Sequence, residues 1–249
     1  MSEKFSHERI SENLKHIREN IERAAKEAGR SPDTVKLLAA TKTVDADTVN
    51  FAISQGVRYI GENRVQELLE KYEKYDLAHA ELHFIGRLQT NKVKYIIDKV
   101  KLIHSVDSLH LAEEINRQAA KHDLCMNILV EVNAAGEASK GGVGYDEVYA
   151  LLEDISKLEN VRVKGLMTIP PKLVLADERT ADRDSSEKIY KNREFFNKIL
   201  HLFLDISEKK LDNIDMYELS AGMSDDYEEA VRNGSTVVRL GRAIFGERQ

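Results

Sequence analysis

The sequence carries one cysteine, Cys125, with 3 prolines and 13 glycines in 249 residues. A lone cysteine excludes an internal disulfide framework, so a core has to hold the fold, and the usage fits a reducing compartment, expected to be the cytoplasm. The shortage of glycine and proline excludes collagen-like and low-complexity chains. Long apolar runs are missing as well: no opening segment has the apolar centre of a signal peptide, and no stretch reaches the ~20 apolar residues of a membrane span. Nor does one sign of charge dominate. There are 43 acids against 37 bases, a net charge of −6, and the two signs interleave along the chain. That pattern predicts neither a nucleic-acid surface nor an anionic-membrane surface. With 42% hydrophobic and 32% charged residues, the chain reads as a folded, water-soluble, helix-rich protein, and its length suits one large domain over residues 1–249.

From Ile10 the apolar positions continue at Leu14, Ile17, Ile21, Ala24, Ala25 and Ala28, a spacing of four and three that lays one stripe along a helix. Ser6 is placed to cap its start and Gly29 its end. A short coiled coil would give the same stripe, but Ser31-Pro32 breaks it after few heptads, so the helix is expected to dock on the domain. After Pro32 short apolar runs alternate with helical stripes, the pattern of repeated βα units. Eight runs read as strands: Val35 to Thr41, Tyr59 to Gly61, Leu82 to Ile85, Leu102 to Val106, Ile128 to Val132, Val161 to Ile169, Met216 to Leu219 and Val237 to Leu240. Stripes such as Leu109, Ala112, Ile115, Ala119, or Val148, Leu151, Leu152, Ile155, or Phe195, Phe196, Ile199, Leu200, Phe203 read as crossover helices. Eight such units in a chain of about 250 residues predict an α/β fold, a single (β/α)₈ barrel of the TIM type with an extra N-terminal helix. An open, doubly wound sheet is the alternative. Consecutive apolar positions predict strands buried on both faces. The stretch from Lys172 to Lys188, rich in Asp, Glu, Arg and Ser, reads as a flexible insertion overhanging the C-terminal mouth.

In such a barrel, function collects at the C-terminal ends of the strands. Lys42 closes the first run, beside apolar neighbours whose desolvation would favour a neutral, nucleophilic amine; the plainer reading is a strand-end lysine reaching into water. Ser220-Ala221-Gly222-Met223-Ser224-Asp225 follows the seventh run and opens a helix from about Asp226 that ends before Gly234, while Gly241-Arg242 follows the eighth. Those two loops are where barrels of this kind cradle phosphate on backbone N–H groups and a helix N-terminus, although two ordinary glycine turns would look alike. Replacing Gly222 by Val is expected to weaken anion binding there without unfolding the barrel. Arg239, inside the eighth run among valines, requires a partner, either a structural carboxylate or a ligand. His79 and His83 do not form a zinc motif in their turn-to-strand setting. Gly136 to Gly142 lack the order of a nucleotide-binding loop and read as a flexible connection, and Cys125 has no evident activation.

These residues sit in longer strings. They are Ala40-Thr41-Lys42, Gly61 to Glu67, His83 to Lys92, Glu131 to Glu137 with Ser139-Lys140, Gly165 to Pro170, Ser220 to Asp225, and Gly234-Ser235-Thr236 leading into Arg239 and Ile244-Phe245-Gly246. On them the chain closely resembles the pyridoxal phosphate homeostasis proteins, relatives of the barrel domain of alanine racemase, over nearly everything after Pro32. The resemblance implies that Lys42 forms an internal aldimine with pyridoxal 5′-phosphate. It implies further that Ser220, Gly222, Met223, Ser224, Gly241 and Arg242 hold the phosphate, that Arg239 takes the pyridine nitrogen, and that Asn63, His83 and Met167 line the pocket. Two departures stand out. Leu82 replaces a common Trp, and Arg242 replaces a common Thr or Ser, which leaves only its backbone N–H for phosphate.

The function so implied is that of a carrier or regulator in pyridoxal phosphate homeostasis, a monomer without significant catalysis that hands cofactor to apo-enzymes. An arginine at the pyridine nitrogen weakens the ring as an electron sink, although racemases also use one. The chain stops eight residues after Gly241, where racemases add a domain carrying a second catalytic base. The alternative is a small amino-acid racemase drawing its second acid/base from Lys140, Tyr145 or His83. A third possibility is a phosphate-binding barrel without the cofactor.

Overall fold

The structure, a computed structural model, describes residues 6–136, 141–171 and 181–246. Helix α1 (His7–Glu27) begins where Ser6, in extended conformation, accepts a hydrogen bond from the Arg9 N–H, and the chain leaves it through Gly29 at φ +68°. Its stripe of Ile10, Leu14, Ile17, Ile21, Ala24 and Ala25 is buried. Polar contacts fix where it docks: Asn13 donates to the Ile244 carbonyl and Asn20 to the Tyr227 hydroxyl, both at 2.9 Å, and Arg30 donates to the Val231 carbonyl at 2.9 Å. The N-terminal helix thus clasps the last βα units.

Eight parallel strands close into a ring. They are β1 (Lys36–Ala40), β2 (Tyr59–Glu62), β3 (Glu81–Phe84), β4 (Leu102–Val106), β5 (Met126–Asn133), β7 (Val161–Thr168), β8 (Ile214–Ser220) and β9 (Val237–Leu240), with a two-residue β6 (Val143–Gly144) beside the end of β5. The order is β4-β3-β2-β1-β9-β8-β7-β5, and pairing of β4 with β5 closes it. This is the predicted TIM-type barrel, with strand ends within two residues of those read from the sequence. The outer layer consists of α2 (Ala46–Ser54), α3 (Val65–Lys71), α4 (Leu109–Lys121), α5 (Val148–Ile155), α6 (Ala181–Glu208), α7 (Tyr227–Arg232) and α8 (Arg242–Phe245).

Three expectations change. The connection from β3 to β4 holds a 3₁₀ segment, Thr90–Tyr95, which buries Val93, and the turn after it buries Ile96 and Ile97, in too short a span for a helix of several turns. The charged insertion is not flexible throughout: residues 172–180 lie outside the described residues, but from Ala181 the chain is already in the 28-residue α6. The third change bears on function. Toward their C-terminal ends the strands are buried on both faces, whereas the start of β8 is open to solvent at Tyr217, and the two buried faces differ in chemistry. Outward positions such as Ala39, Ile60, Phe84, Ile103, Ile128, Val163, Leu219 and Val238 join the helices in one large apolar cluster. Inward positions form only two small apolar groups, Leu38, Ala40, Ile85, Val237 and Leu102, Leu129, Met167. Between them lie His83, His104, Ser220 and Arg239, all buried. Polar groups so placed have to satisfy one another.

Candidate functional site

Two residues past β1, Lys42 sits half-buried in the turn Thr41–Val44, closed by a Val44 N–H to Thr41 carbonyl bond of 3.0 Å. Thr43 takes φ +64° there, a conformation that a β-branched residue adopts only when its surroundings enforce it. They do so from the outer layer. Lys71, the last residue of α3, places its Nζ 3.1 Å from the Thr41 carbonyl, 3.1 Å from the Val44 carbonyl and 2.6 Å from Glu62 Oε1. Glu67 accepts the Thr43 N–H at 2.9 Å, and Glu62, fully buried, accepts from the Thr41 hydroxyl at 2.8 Å and from Tyr75 at 2.5 Å. Burial and the Glu62 charge push the Tyr75 phenol well up, so it remains a donor. The Gly61–Glu67 string therefore has a structural use: it builds the socket for the Lys42 turn.

Because β1 pairs with both β2 and β9, this turn stands between Asn63, just past β2, and Gly241, just past β9. The side-chain oxygen of Asn63 is buried without a partner among the described residues. A side chain at Gly241 would start 3.3 Å from the Ala40 carbonyl, so a glycine leaves the backbone open over the end of β1. Gly222, at φ +94°, lies against Ala230 and Tyr227, so the loop after β8 folds back onto α7 and no other residue fits at 222. Within that loop the Met223 N–H bonds to Asp226 at 2.6 Å, and the Ser224 hydroxyl accepts the Ala243 N–H at 3.1 Å, which ties the β8 and β9 loops together. The Arg242 side chain turns away to Asp225 at 2.6 Å.

Arg239 is the electrostatic centre of the interior. Its guanidinium donates to the Ser220 carbonyl (2.8 Å), the Ser220 hydroxyl (2.7 Å) and the Thr168 carbonyl (3.0 Å), which uses three of its five N–H donors. Burial pulls its pKa down to about 10, with Glu131 and Asp226 opposing the shift, so it stays cationic at neutral pH. Ser220, expected on the phosphate, is turned inward and is engaged by Arg239 and by His104 at 3.0 Å. His83 also points inward, 3.0 Å from His104, while Met167 packs with Leu102 and Leu129. His79 pairs with Asp76 at the surface, away from His83.

Two of the residues that sequence reasoning missed are His104 and Glu131. His104 lies mid-strand among apolar neighbours, and only closure of the barrel sets it against His83 and Ser220. Glu131, nearly buried at the C-terminal end of β5, lines a cleft with Val132, Asn133, Gly141 and Ile169. Burial and Asp107 raise its pKa, while Arg239 and Arg87 oppose the shift. Of the proposed second acid/base groups, Lys140 lies outside the described residues, as does Ser139, and Tyr145 stands beneath Lys198 of α6 at 4.4 Å. No group of three metal-ligating side chains occurs among the described residues, and no described helix is long and apolar enough to cross a membrane.

The chain is similar to proteins already known. The family described as "Alanine racemase, N-terminal domain" matches residues 13–249. A pyridoxal phosphate homeostasis protein from Aquifex aeolicus is 42% identical over 238 residues, covering 96% of this chain and 98% of the relative. Among solved structures, an unknown protein from Bifidobacterium adolescentis superposes with a TM-score of 0.87 at 34% identity, over 98% of this chain and 97% of that one. PipY of Synechococcus elongatus PCC7942 with pyridoxal phosphate (PLP) bound gives a TM-score of 0.74 at 29% identity, over 95% of this chain and all of its own.

Proposed function

We infer, from a chain that belongs to the pyridoxal phosphate homeostasis proteins and to the alanine racemase N-terminal-domain family, that this protein binds pyridoxal 5′-phosphate through Lys42. It serves cofactor homeostasis by holding and passing on the cofactor rather than by turning over amino acids. The residues at the barrel mouth fit the group. The bound cofactor supplies an aldehyde, a phosphate and a pyridine nitrogen. Lys42, on its braced turn, offers the amine; the backbone of Gly222 and Ser224 and of Gly241 and Arg242 offers a seat for the anion, the Met223 N–H being held by Asp226. Arg239 offers one of its remaining N–H donors to the ring nitrogen, and Asn63 an unpartnered polar group. Met167 and His83 contribute from the strand interior.

The observation that carries this reading is the buried Arg239, which is held by Ser220 and Thr168 with no carboxylate in hydrogen-bond contact among the described residues. A cation kept at that position serves no apolar core. Opposite a pyridine nitrogen it would keep that nitrogen unprotonated and weaken the ring as an electron sink, which suits a cofactor carrier, although racemases share this feature and it supports the cofactor more than it separates the two roles. The rival racemase reading has one specific observation in its favour, a carboxylate at the mouth, Glu131, whose pKa burial and Asp107 raise, the direction that suits an acid/base group.

Absorbance and borohydride trapping test the binding claim: wild type incubated with PLP gains a visible band, and the reduced, digested protein carries its pyridoxyl group on Lys42. Lys42→Ala abolishes the band. A label found on Lys140 sinks the assignment. Transfer of cofactor to an apo-enzyme tests the carrier role. Robust interconversion of alanine enantiomers by wild type, lost in Lys42→Ala and in Glu131→Gln, establishes the racemase instead.

A further inference from the structure

A file of polar groups crosses the barrel interior: Arg239, Ser220, His104, His83 and Glu81, taken from β9, β8, β4 and β3. The links measure 2.7 Å from Arg239 to the Ser220 hydroxyl, 3.0 Å from Ser220 Oγ to His104 Nδ1, 3.0 Å from His104 Nε2 to His83 Nδ1, and 3.6 Å from His83 Nε2 to Glu81 Oε2. Of these residues, Glu81 and His104 have no assigned role in holding the cofactor.

Donor and acceptor inventories fix the direction of the file. Arginine only donates, so Ser220 Oγ accepts from Arg239. The buried hydroxyl then needs an acceptor for its own proton, and Nδ1 of His104 is the one within reach; a buried hydroxyl left without one costs about 1–3 kcal/mol. With Nδ1 accepting, the proton of a neutral His104 sits on Nε2 and is donated to His83 Nδ1. His83 then carries its proton on Nε2, facing the carboxylate of Glu81. In this direction every link from Arg239 to His83 has a donor and an acceptor, and the His83 Nε2 proton faces the Glu81 carboxylate 3.6 Å away. In the reverse direction the Ser220 proton has no partner, and a lone pair of His83 meets a carboxylate. Burial, reinforced by the Arg239 charge, holds His104 well below the ordinary histidine pKa, in keeping with a neutral ring. The His83 hydrogen bond likewise lowers Glu81.

We propose that His104 is the positioning residue for Arg239: by taking the Ser220 proton it turns the serine oxygen toward the guanidinium, and a one-way chain of hydrogen bonds from Arg239 to His83, ending against the Glu81 carboxylate, holds that guanidinium in line with the ligand. His104 touches no ligand itself. The proposal rests on the reading of Arg239 as the group that meets the pyridine nitrogen, but the chain can be tested without the cofactor.

Long-range ¹⁵N–¹H NMR of histidine-labelled, ligand-free protein at pH 7 reads the tautomers. His104 is expected neutral, with its proton on Nε2, and His83 is expected to carry a proton on Nε2. A proton on His104 Nδ1, or a charged His104, overturns the proposal. The second arm compares His104→Gln, which keeps one acceptor and one donor, with His104→Leu, which keeps neither. The leucine variant is expected to bind PLP about tenfold more weakly and to shift the absorbance maximum of the bound form, with the glutamine variant within about threefold of wild type. Ser220→Ala reproduces the leucine variant, and the two changes together add little, since both cut the same chain. A folded leucine variant with wild-type affinity and spectrum, a glutamine variant no better than leucine, or additive losses each overturn it. Wild type that takes up no PLP while showing the stated tautomers defeats the functional reading and leaves the chain standing.

Discussion

The ammonium of Lys71 donates to the main-chain carbonyl of Thr41 at 3.1 Å, so the residue before Lys42 is fixed by a side chain thirty positions away, at the end of α3. The same ammonium pairs with Glu62, which is fully buried. Removing one member of such a pair strands the other. Lys71→Met is therefore expected to destabilise the fold by about 3 kcal/mol, and Glu62→Gln together with Lys71→Met by less than the sum of the single changes. Urea unfolding of the three variants measures this; strict additivity would show that the two groups do not act as a pair.

The loop after β8 does not tolerate a side chain at 222. A Cβ there would lie 2.6 Å from the Ala230 Cβ and 3.0 Å from the Tyr227 Cα, at φ +94°. Gly222→Val, which the sequence suggests as a clean probe of anion binding, is expected to unhinge α7, and Gly222→Ala alone to cost about 2 kcal/mol or more. Chemical denaturation decides it, with a wild-type midpoint for Gly222→Ala as the refuting result.

Asn63 trades stability for binding. Its buried, unpartnered oxygen is a liability in the ligand-free protein, so Asn63→Ala should leave thermal stability unchanged or raise it by about 1 kcal/mol, while PLP affinity falls about tenfold. Thermal shift with and without ligand separates the two effects. Loss of stability in the free protein would show that the amide is already satisfied.

Acid should find His104. Its folded pKa lies well below the ordinary 6.5, so below pH 6.5 the unfolded chain takes up a proton that the folded chain refuses. The contribution is complete above the unfolded value and is lost as pH falls, by up to about 1.4 kcal/mol per pH unit. His104→Gln has no such proton to take up, so the stability of wild type relative to this variant should decline steadily from pH 6.5 downward. Parallel stability curves over that range would refute the buried, neutral ring.

The sequence alone determined the architecture, because alternation of apolar runs and stripes is a local property: each strand needs an apolar outward face and each crossover one buried stripe, whatever their neighbours. Lys42, the loops at Ser220 and Gly241, and Arg239 were legible for the same reason, since strand ends and a cation among valines can be read along the chain. What only the tertiary structure decided is which side chains meet across the ring. His104 and Glu131 look unremarkable in their strands, and Lys71 looks like the solvated end of a helix. Closure sets His104 between residues 21 and 116 positions away, brings Lys71 onto the Lys42 turn and turns Ser220 inward. The cause is the two-residue period of a strand: it assigns every second residue to the interior, but the pairing register and the closing β4–β5 contact determine which strand supplies each neighbour, and no local pattern encodes that choice.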